Sequence, residues 1–113
     1  MTPRTLLDAC TALLREVLKF DAPADSVVSA FFRQQKALGV RERHTLAETT
    51  YAVLRRRLLY QHLAQGGTGP IERRLAMLAW AGDASFLQAA LAPDERRAEV
   101  GAGRHLYELD ETT

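Results

Sequence analysis

Three consecutive arginines, Arg55–Arg57, stand inside an otherwise apolar segment, "ETTYAVLRRRLLY". At about 100° per residue, three successive side chains fan across more than half of a helix circumference. Guanidinium groups form forked hydrogen bonds to phosphates and carboxylates. The run therefore predicts contacts to an anionic partner or ion pairs within the fold, and a solvated helix face is the ordinary alternative for any one of these arginines.

The charge distribution also indicates an anionic partner. The net charge is only +1, but residues 33–74 carry nine basic and three acidic groups, for +6. The preceding residues sum to −1, and residues 75–113, with three basic and seven acidic groups, sum to −4. A basic cluster in a small helical domain fits phosphate contacts, which position a protein on nucleic acid without reading its sequence. Tyr60 is a candidate for stacking on an unpaired base, although a half-buried position is its plainer role.

No pattern in the sequence predicts catalysis. There is no glycine-rich nucleotide-binding motif after a strand, no P-loop and no nucleophile elbow. The three histidines are far apart, and no Cys/His pair has the spacing of metal ligands. The single cysteine, Cys10, falls on the apolar face of the first predicted helix, where core packing is expected rather than a reactive thiol. We therefore expect no catalytic residue, metal site or cofactor in this chain.

Composition favours a globular cytoplasmic domain, and we expect a monomer because no long exposed apolar stripe is left over for dimerisation. Hydrophobic residues make up 47% and charged residues 26% of the chain, which is typical of a globular protein and excludes a disordered one. No run approaches about 18 apolar residues, so we expect no membrane partner. The N-terminus lacks the apolar region of a signal peptide, and one cysteine forms no internal disulfide, so the default is the cytoplasm.

Apolar residues recur at helical spacing and predict an all-α bundle of about five to six helices. The first helix is predicted over residues 2–20, with Thr2 as its cap. The second is predicted over residues 25–38, ended by Gly39 in a left-handed conformation. The third and longest is predicted over residues 41–65.

In this third helix, Tyr51, Leu54 and Leu58 form the predicted buried stripe. A fourth helix follows the glycine-rich turn, with Ile71, Leu75, Leu78 and Ala79 facing inward, and Asp83 is expected to cap a short fifth helix. A polar helical turn is expected from Pro93. We expect residues 1–100 to be one domain and residues 101–113 a flexible acidic tail or linker.

The segment "FDAPADSVVSAFFRQQKALGVRERHTLAETTYAVLRRRLLYQHLA" resembles the NusB-like RNA-binding domain. It is most similar to the version at the N-terminus of bacterial Sun/RsmB-type ribosomal RNA cytosine methyltransferases, and the resemblance covers residues 5–64. Its most specific part is the family core "R…E-x-x-Y-G-V-L-R", matched here by Arg43, Glu48, Tyr51, Val53, Leu54 and Arg55. Two departures are Ala52 in place of the family's glycine and Val40 in place of a Ser-like cap.

The resemblance implies a NusB-like helical bundle that binds structured RNA. In the parent enzymes a separate downstream domain binds S-adenosylmethionine and supplies the catalytic cysteines, which Cys10 does not match. We therefore expect this chain to be the RNA-binding part of a ribosomal RNA cytosine-5 methyltransferase, and its partners to be RNA and its own catalytic domain. The expected RNA-binding residues are Arg4, Arg41, Arg43, Arg56 and Arg57. Glu48 and Arg55 are expected to form a structural clamp with charged partners, since removing one member of a buried pair leaves an uncompensated charge.

Two other functions stay open at this point. The bundle could be a protein-interaction module that docks on the catalytic domain, with its arginines paired to acidic residues there. It could also be a free-standing transcription antitermination factor of the NusB kind. A reading frame that continues into a cofactor-binding fold would exclude the second of these.

Overall fold

The computed structural model describes residues 2–65 and 69–91, which form an all-α bundle and confirm the predicted fold class. The helices of these residues are, in chain order, α1 (Pro3–Val17), α2 (Ala24–Gln34), α3 (Val40–Arg55), α4 (Arg57–Ala64), α5 (Ile71–Leu78) and α6 (Ala84–Gln88). None of these six helices has the length and apolar character needed to cross a membrane. The turn predicted from Pro93 and the tail predicted at residues 101–113 lie outside the described residues.

Helix α1 is the centre of the bundle and packs against α2, α3, α5 and α6. It begins as predicted, because the Thr2 hydroxyl oxygen accepts a hydrogen bond from the Thr5 N–H at 3.2 Å. The buried apolar residues of α1 are Leu6, Leu7, Cys10, Leu13, Leu14 and Val17. Each fully buried leucine contributes about 1.5–3 kcal/mol to folding, so this face holds the bundle together.

The end of α2 differs from its prediction. The helix ends at Gln34, whereas the sequence pattern predicts that it continues to Leu38. Gly39 has a φ of −81° and is the N-cap of α3, so the predicted left-handed stop is wrong. Leu38 is still buried, at 2% exposure. Because α2 ends at Gln34, the turn that follows places the Leu38 side chain in the core. We infer that burying this side chain stabilises the fold more than one further turn of α2 would.

Helices α2 and α3 are joined by a polar contact. The Tyr51 hydroxyl donates a hydrogen bond to Asp25 Oδ1 at 2.6 Å. This hydrogen bond, together with partial desolvation and the nearby carboxylate charge, raises the pKa of Tyr51. Tyr51 is half-buried: its side chain packs against the core, and its hydroxyl reaches Asp25 at the edge of the bundle.

The long helix predicted over residues 41–65 is two helices, and this is the largest correction to the predicted fold. Arg56, with φ −129° and ψ 45°, separates α3 from α4. The side chains that α3 buries are Leu46, Thr49, Thr50, Ala52 and Val53. If the helix continued, the next position on this stripe would be Arg57, and burying an unpaired guanidinium costs several kcal/mol. The break leaves Arg57 exposed while Tyr60 and Ala64 are buried.

Helices α5 and α6 close the bundle against α1. Leu75 and Ala79 are buried as predicted, whereas Ile71 is 38% exposed and Leu78 is only partly buried. Asp83 caps α6 as predicted, because its Oδ1 atom accepts hydrogen bonds from two backbone N–H groups of the first turn.

Thr49 and Thr50 are fully buried neighbours that differ in their hydrogen bonds, and this difference predicts opposite responses to substitution. The Thr49 hydroxyl oxygen accepts from the Ala81 N–H at 3.0 Å, whereas Thr50 Oγ1 has no hydrogen-bond partner among the described residues. We expect Thr49→Val to lower the free energy of unfolding by about 1–2 kcal/mol, because the Ala81 N–H loses its partner. Thr50→Val should leave it unchanged or raise it. Urea unfolding of both variants is the measurement, and equal losses would contradict the assignment.

Candidate nucleic-acid interface

A cleft of about 540 Å³ lies where the chain breaks between α3 and α4. It is lined by Leu54–Leu59, which include all three arginines of the run, and by Phe20 from the loop between α1 and α2. A continuous helix would fan the arginines around its circumference. The break instead gathers Arg55, Arg56 and Arg57 at one concavity together with an aromatic ring.

Phe20 is the residue of this site that the sequence pattern does not reveal. Its position continues the spacing of Leu13 and Val17, so the pattern favours burial, but α1 ends at Val17 and Phe20 is 56% exposed. It is the only non-glycine residue of the described part of the chain with a positive φ, at 54°. Glycine is the usual residue for this conformation after a helix, and another residue there costs on the order of 1 kcal/mol or more.

The Arg57 guanidinium lies over the Phe20 ring, with its Cζ atom 4.9 Å from the ring centroid. Such a cation–π contact is worth about 0.5–1 kcal/mol at an exposed site. Arg57 is also the first residue of α4, whose first turn contains no acidic residue and has no side-chain cap. Because the positive end of the helix dipole lies there, a cation at this position is unfavourable and a nearby anion would be stabilised.

The predicted RNA-binding arginines do not form one cluster. Arg41 and Arg43 are exposed at the start of α3, and the 16 residues of this helix place them about 20 Å from Arg57, which lies just beyond its far end. Arg43 makes its own aromatic contact, with its Cζ atom 6.0 Å from the Phe32 ring centroid. Arg4 is exposed in the first turn of α1, at the opposite end of that helix from Phe20.

The predicted clamp residues are not joined to charged partners in the described part of the chain. Glu48 is half-buried and Arg55 is exposed. Ion pairs between described residues include Arg15–Glu72, Lys19–Glu16 and Arg73–Asp8, and they involve neither Glu48 nor Arg55. Arg55 lines the cleft instead. The clamp stays a prediction.

Arg73 and Arg74, the other arginine pair of the basic segment, have structural contacts. Arg73 Nη1 lies 3.4 Å from Asp8 Oδ1, which joins α5 to α1. Arg74 Nη1 donates a hydrogen bond to the Ala64 carbonyl oxygen at the end of α4. A cation is favourable at a helix C-terminus, so this contact fixes α4 against α5.

Two further residues are excluded from surface chemistry. Tyr60 is 1% exposed, so it offers no face for stacking on a base. Cys10 is fully buried, and its burial raises the pKa of its thiol to about 12, so the thiol is neutral and unreactive in the folded protein. Within residues 2–65 and 69–91, no group of three or more His, Cys, Asp and Glu side chains is placed to hold a metal ion.

Comparisons with protein families, with curated proteins and with solved structures find no match for this chain.

Proposed function

We propose that this chain is an RNA-binding domain that positions structured ribosomal RNA for a cytosine-5 methyltransferase domain. The observation that carries the proposal is the cleft at the break between α3 and α4, where three arginines surround a concavity that also contains an exposed aromatic ring. Phosphate contacts from the arginines would fix the orientation of the RNA, as they do in most nucleic-acid interfaces. The base to be methylated would be presented to the catalytic domain.

The charge distribution around the cleft supports an anionic partner. Arg55 and Arg57 are both exposed and both line the cleft. Arg57 also lies at the positive end of the α4 dipole, where a cation is unfavourable, and a bound phosphate would offset this repulsion. In this proposal Arg4, Arg41 and Arg43, which lie at the far ends of their helices, contact parts of a longer folded RNA that a short hairpin does not reach.

S-adenosylmethionine and the catalytic cysteines belong, in this proposal, to a separate domain. The described residues are helical, and the Rossmann-like domain expected in the parent enzymes is built on a parallel sheet. Cys10 does not fit a catalytic role, because a fully buried neutral thiol cannot attack a base. This chain contributes RNA affinity and orientation, and the chemical step takes place elsewhere.

Salt dependence of binding to a labelled ribosomal RNA hairpin tests the proposal. With three arginines on phosphates, the slope of log K against log salt should be about −2.1 to −2.7, so affinity should fall about 20- to 40-fold between about 50 and 200 mM salt. Fluorescence anisotropy measures this directly. The separately expressed catalytic domain of a Sun/RsmB-type methyltransferase, labelled in the same way, tests the protein-docking alternative. Binding to that domain without binding to RNA at low salt would overturn the proposal.

A further inference from the structure

We propose that the cleft binds one unpaired RNA nucleotide, with its base stacked on the Phe20 ring and its flanking phosphates on Arg55 and Arg57. This inference rests on the proposed function and narrows its substrate class. The preferred RNA would contain a bulged or single-stranded base beside a helix, and an uninterrupted duplex would bind more weakly.

The exposure of Phe20 favours stacking on an unpaired base. A duplex presents phosphates and groove edges to a protein, so a protruding phenyl ring meets no free base face unless the base pairs are unstacked, which costs free energy at each step. An unpaired base, in contrast, offers a free face, and stacking on aromatic side chains is the usual way in which proteins hold such bases. Phe20 is 56% exposed and lines the cleft, so part of its ring is open to a base.

The left-handed backbone of Phe20 also favours a functional role for its ring. A left-handed φ of 54° is the conformation in which glycine is most stable. Phe20 gains little burial to offset this strain, since more than half of its side chain is exposed. Strain held at an exposed aromatic residue motivates a functional role, and the loop after α1 displays the ring at the edge of the arginine cluster.

The position of Arg57 over the Phe20 ring also suits the binding of a base. In the free protein its guanidinium lies over the Phe20 ring, 4.9 Å from the centroid. A guanidinium plane and an aromatic ring both stack on bases, so a base can enter between them or displace the guanidinium onto a neighbouring phosphate. The cleft volume of about 540 Å³ is within the range of about 300–1,000 Å³ found for small-ligand sites, which suits one nucleotide.

Two hairpins that differ by one nucleotide test the inference. Both have the same ribosomal RNA stem, and one carries a single bulged 2-aminopurine, whose fluorescence is quenched when it stacks. We expect the wild-type chain to bind the bulged hairpin about 10-fold more tightly than the fully paired one, as one stacked base contributes. We also expect binding to quench the 2-aminopurine.

Variants of Phe20 separate stacking from general binding. Phe20→Leu should remove both the preference for the bulged hairpin and the quenching, and Phe20→Trp should retain both. Phe20→Gly is a second test that keeps the fold, because glycine suits the left-handed backbone at this position, and it should behave like Phe20→Leu. Circular dichroism checks that each variant is folded.

The outcomes distinguish this inference from the proposed function. If the wild-type chain binds both hairpins equally, or if Phe20→Leu and Phe20→Gly keep the preference and the quenching, stacking on Phe20 is wrong while RNA binding stands. If the wild-type chain binds neither hairpin at low salt, the proposed function itself fails.

Discussion

Replacing the two exposed arginines of the cleft, in the double variant Arg55→Gln and Arg57→Gln, is expected to weaken binding of the RNA hairpin about 25- to 60-fold at about 0.1 M salt. Each lost phosphate contact removes about 0.7–0.9 from the slope of log affinity against log salt, so the slope should become shallower by about 1.5. Arg56 is kept because it is half-buried at the helix break. Fluorescence anisotropy over a salt series measures both quantities.

The matched control is the double variant Arg41→Gln and Arg43→Gln. It removes the same charge from the opposite end of α3, about 20 Å away, which exceeds the screening length of about 10 Å at this salt concentration. We expect a loss below about 5-fold, because these residues do not line the cleft. Equal losses in the two double variants would show that affinity follows net charge or is shared between both ends of α3, and that the cleft has no special role.

Most of the helices could be predicted from the sequence because their signals are local. Thr2 and Asp83 are side-chain caps, and a cap acts on the N–H groups of the next three residues. The apolar face of α1 is so wide that a prediction shifted by one position would still identify it as the buried face. The same kind of local signal gives the all-α class, which needs only the period of the pattern and not the exact ends of each helix.

The break at Arg56 has no such local signal. Sharp bends usually occur at proline, glycine or an inserted residue, and α3 and α4 contain neither proline nor glycine. The cause is tertiary. The stripe that α3 buries leads to Arg57, while Tyr60 and Ala64 must be buried on the next turn. Only the packing partners show which of two neighbouring apolar stripes is more deeply buried. In the predicted stripe, Tyr51 and Leu54 are partly buried against the core, and only Leu58 is exposed.

The candidate site depends on this break, which explains how much of it could be predicted. The arginine run is visible in the sequence as a candidate for anion binding. Phe20 is not visible, because its spacing fits a longer α1 and its exposure follows from the end of that helix at Val17. The pairing of Phe20 with Arg57 joins residues 37 positions apart in the sequence, and no local pattern records such a contact.

Two leucine-to-alanine substitutions with different expected effects test which apolar stripe is buried. Leu13 and Leu58 both lie on apolar stripes of the sequence, but Leu13 is 0% exposed on α1 and Leu58 is 77% exposed. Leu13→Ala should lower the free energy of unfolding by about 3–5 kcal/mol, because it leaves a cavity at the centre of the bundle. In a domain of this size, that loss lowers the midpoint of thermal unfolding by at least about 12 °C.

Leu58→Ala should change the free energy of unfolding by less than about 0.5 kcal/mol, as expected for a surface position. The single tryptophan, Trp80, is 4% exposed, so its fluorescence reports unfolding of the core in both variants. A loss in Leu58→Ala comparable to that in Leu13→Ala would mean that Leu58 is buried, as the stripe of Tyr51, Leu54 and Leu58 predicted from the sequence requires. Because Leu58 lines the cleft, its burial would contradict the cleft that carries the RNA-binding proposal.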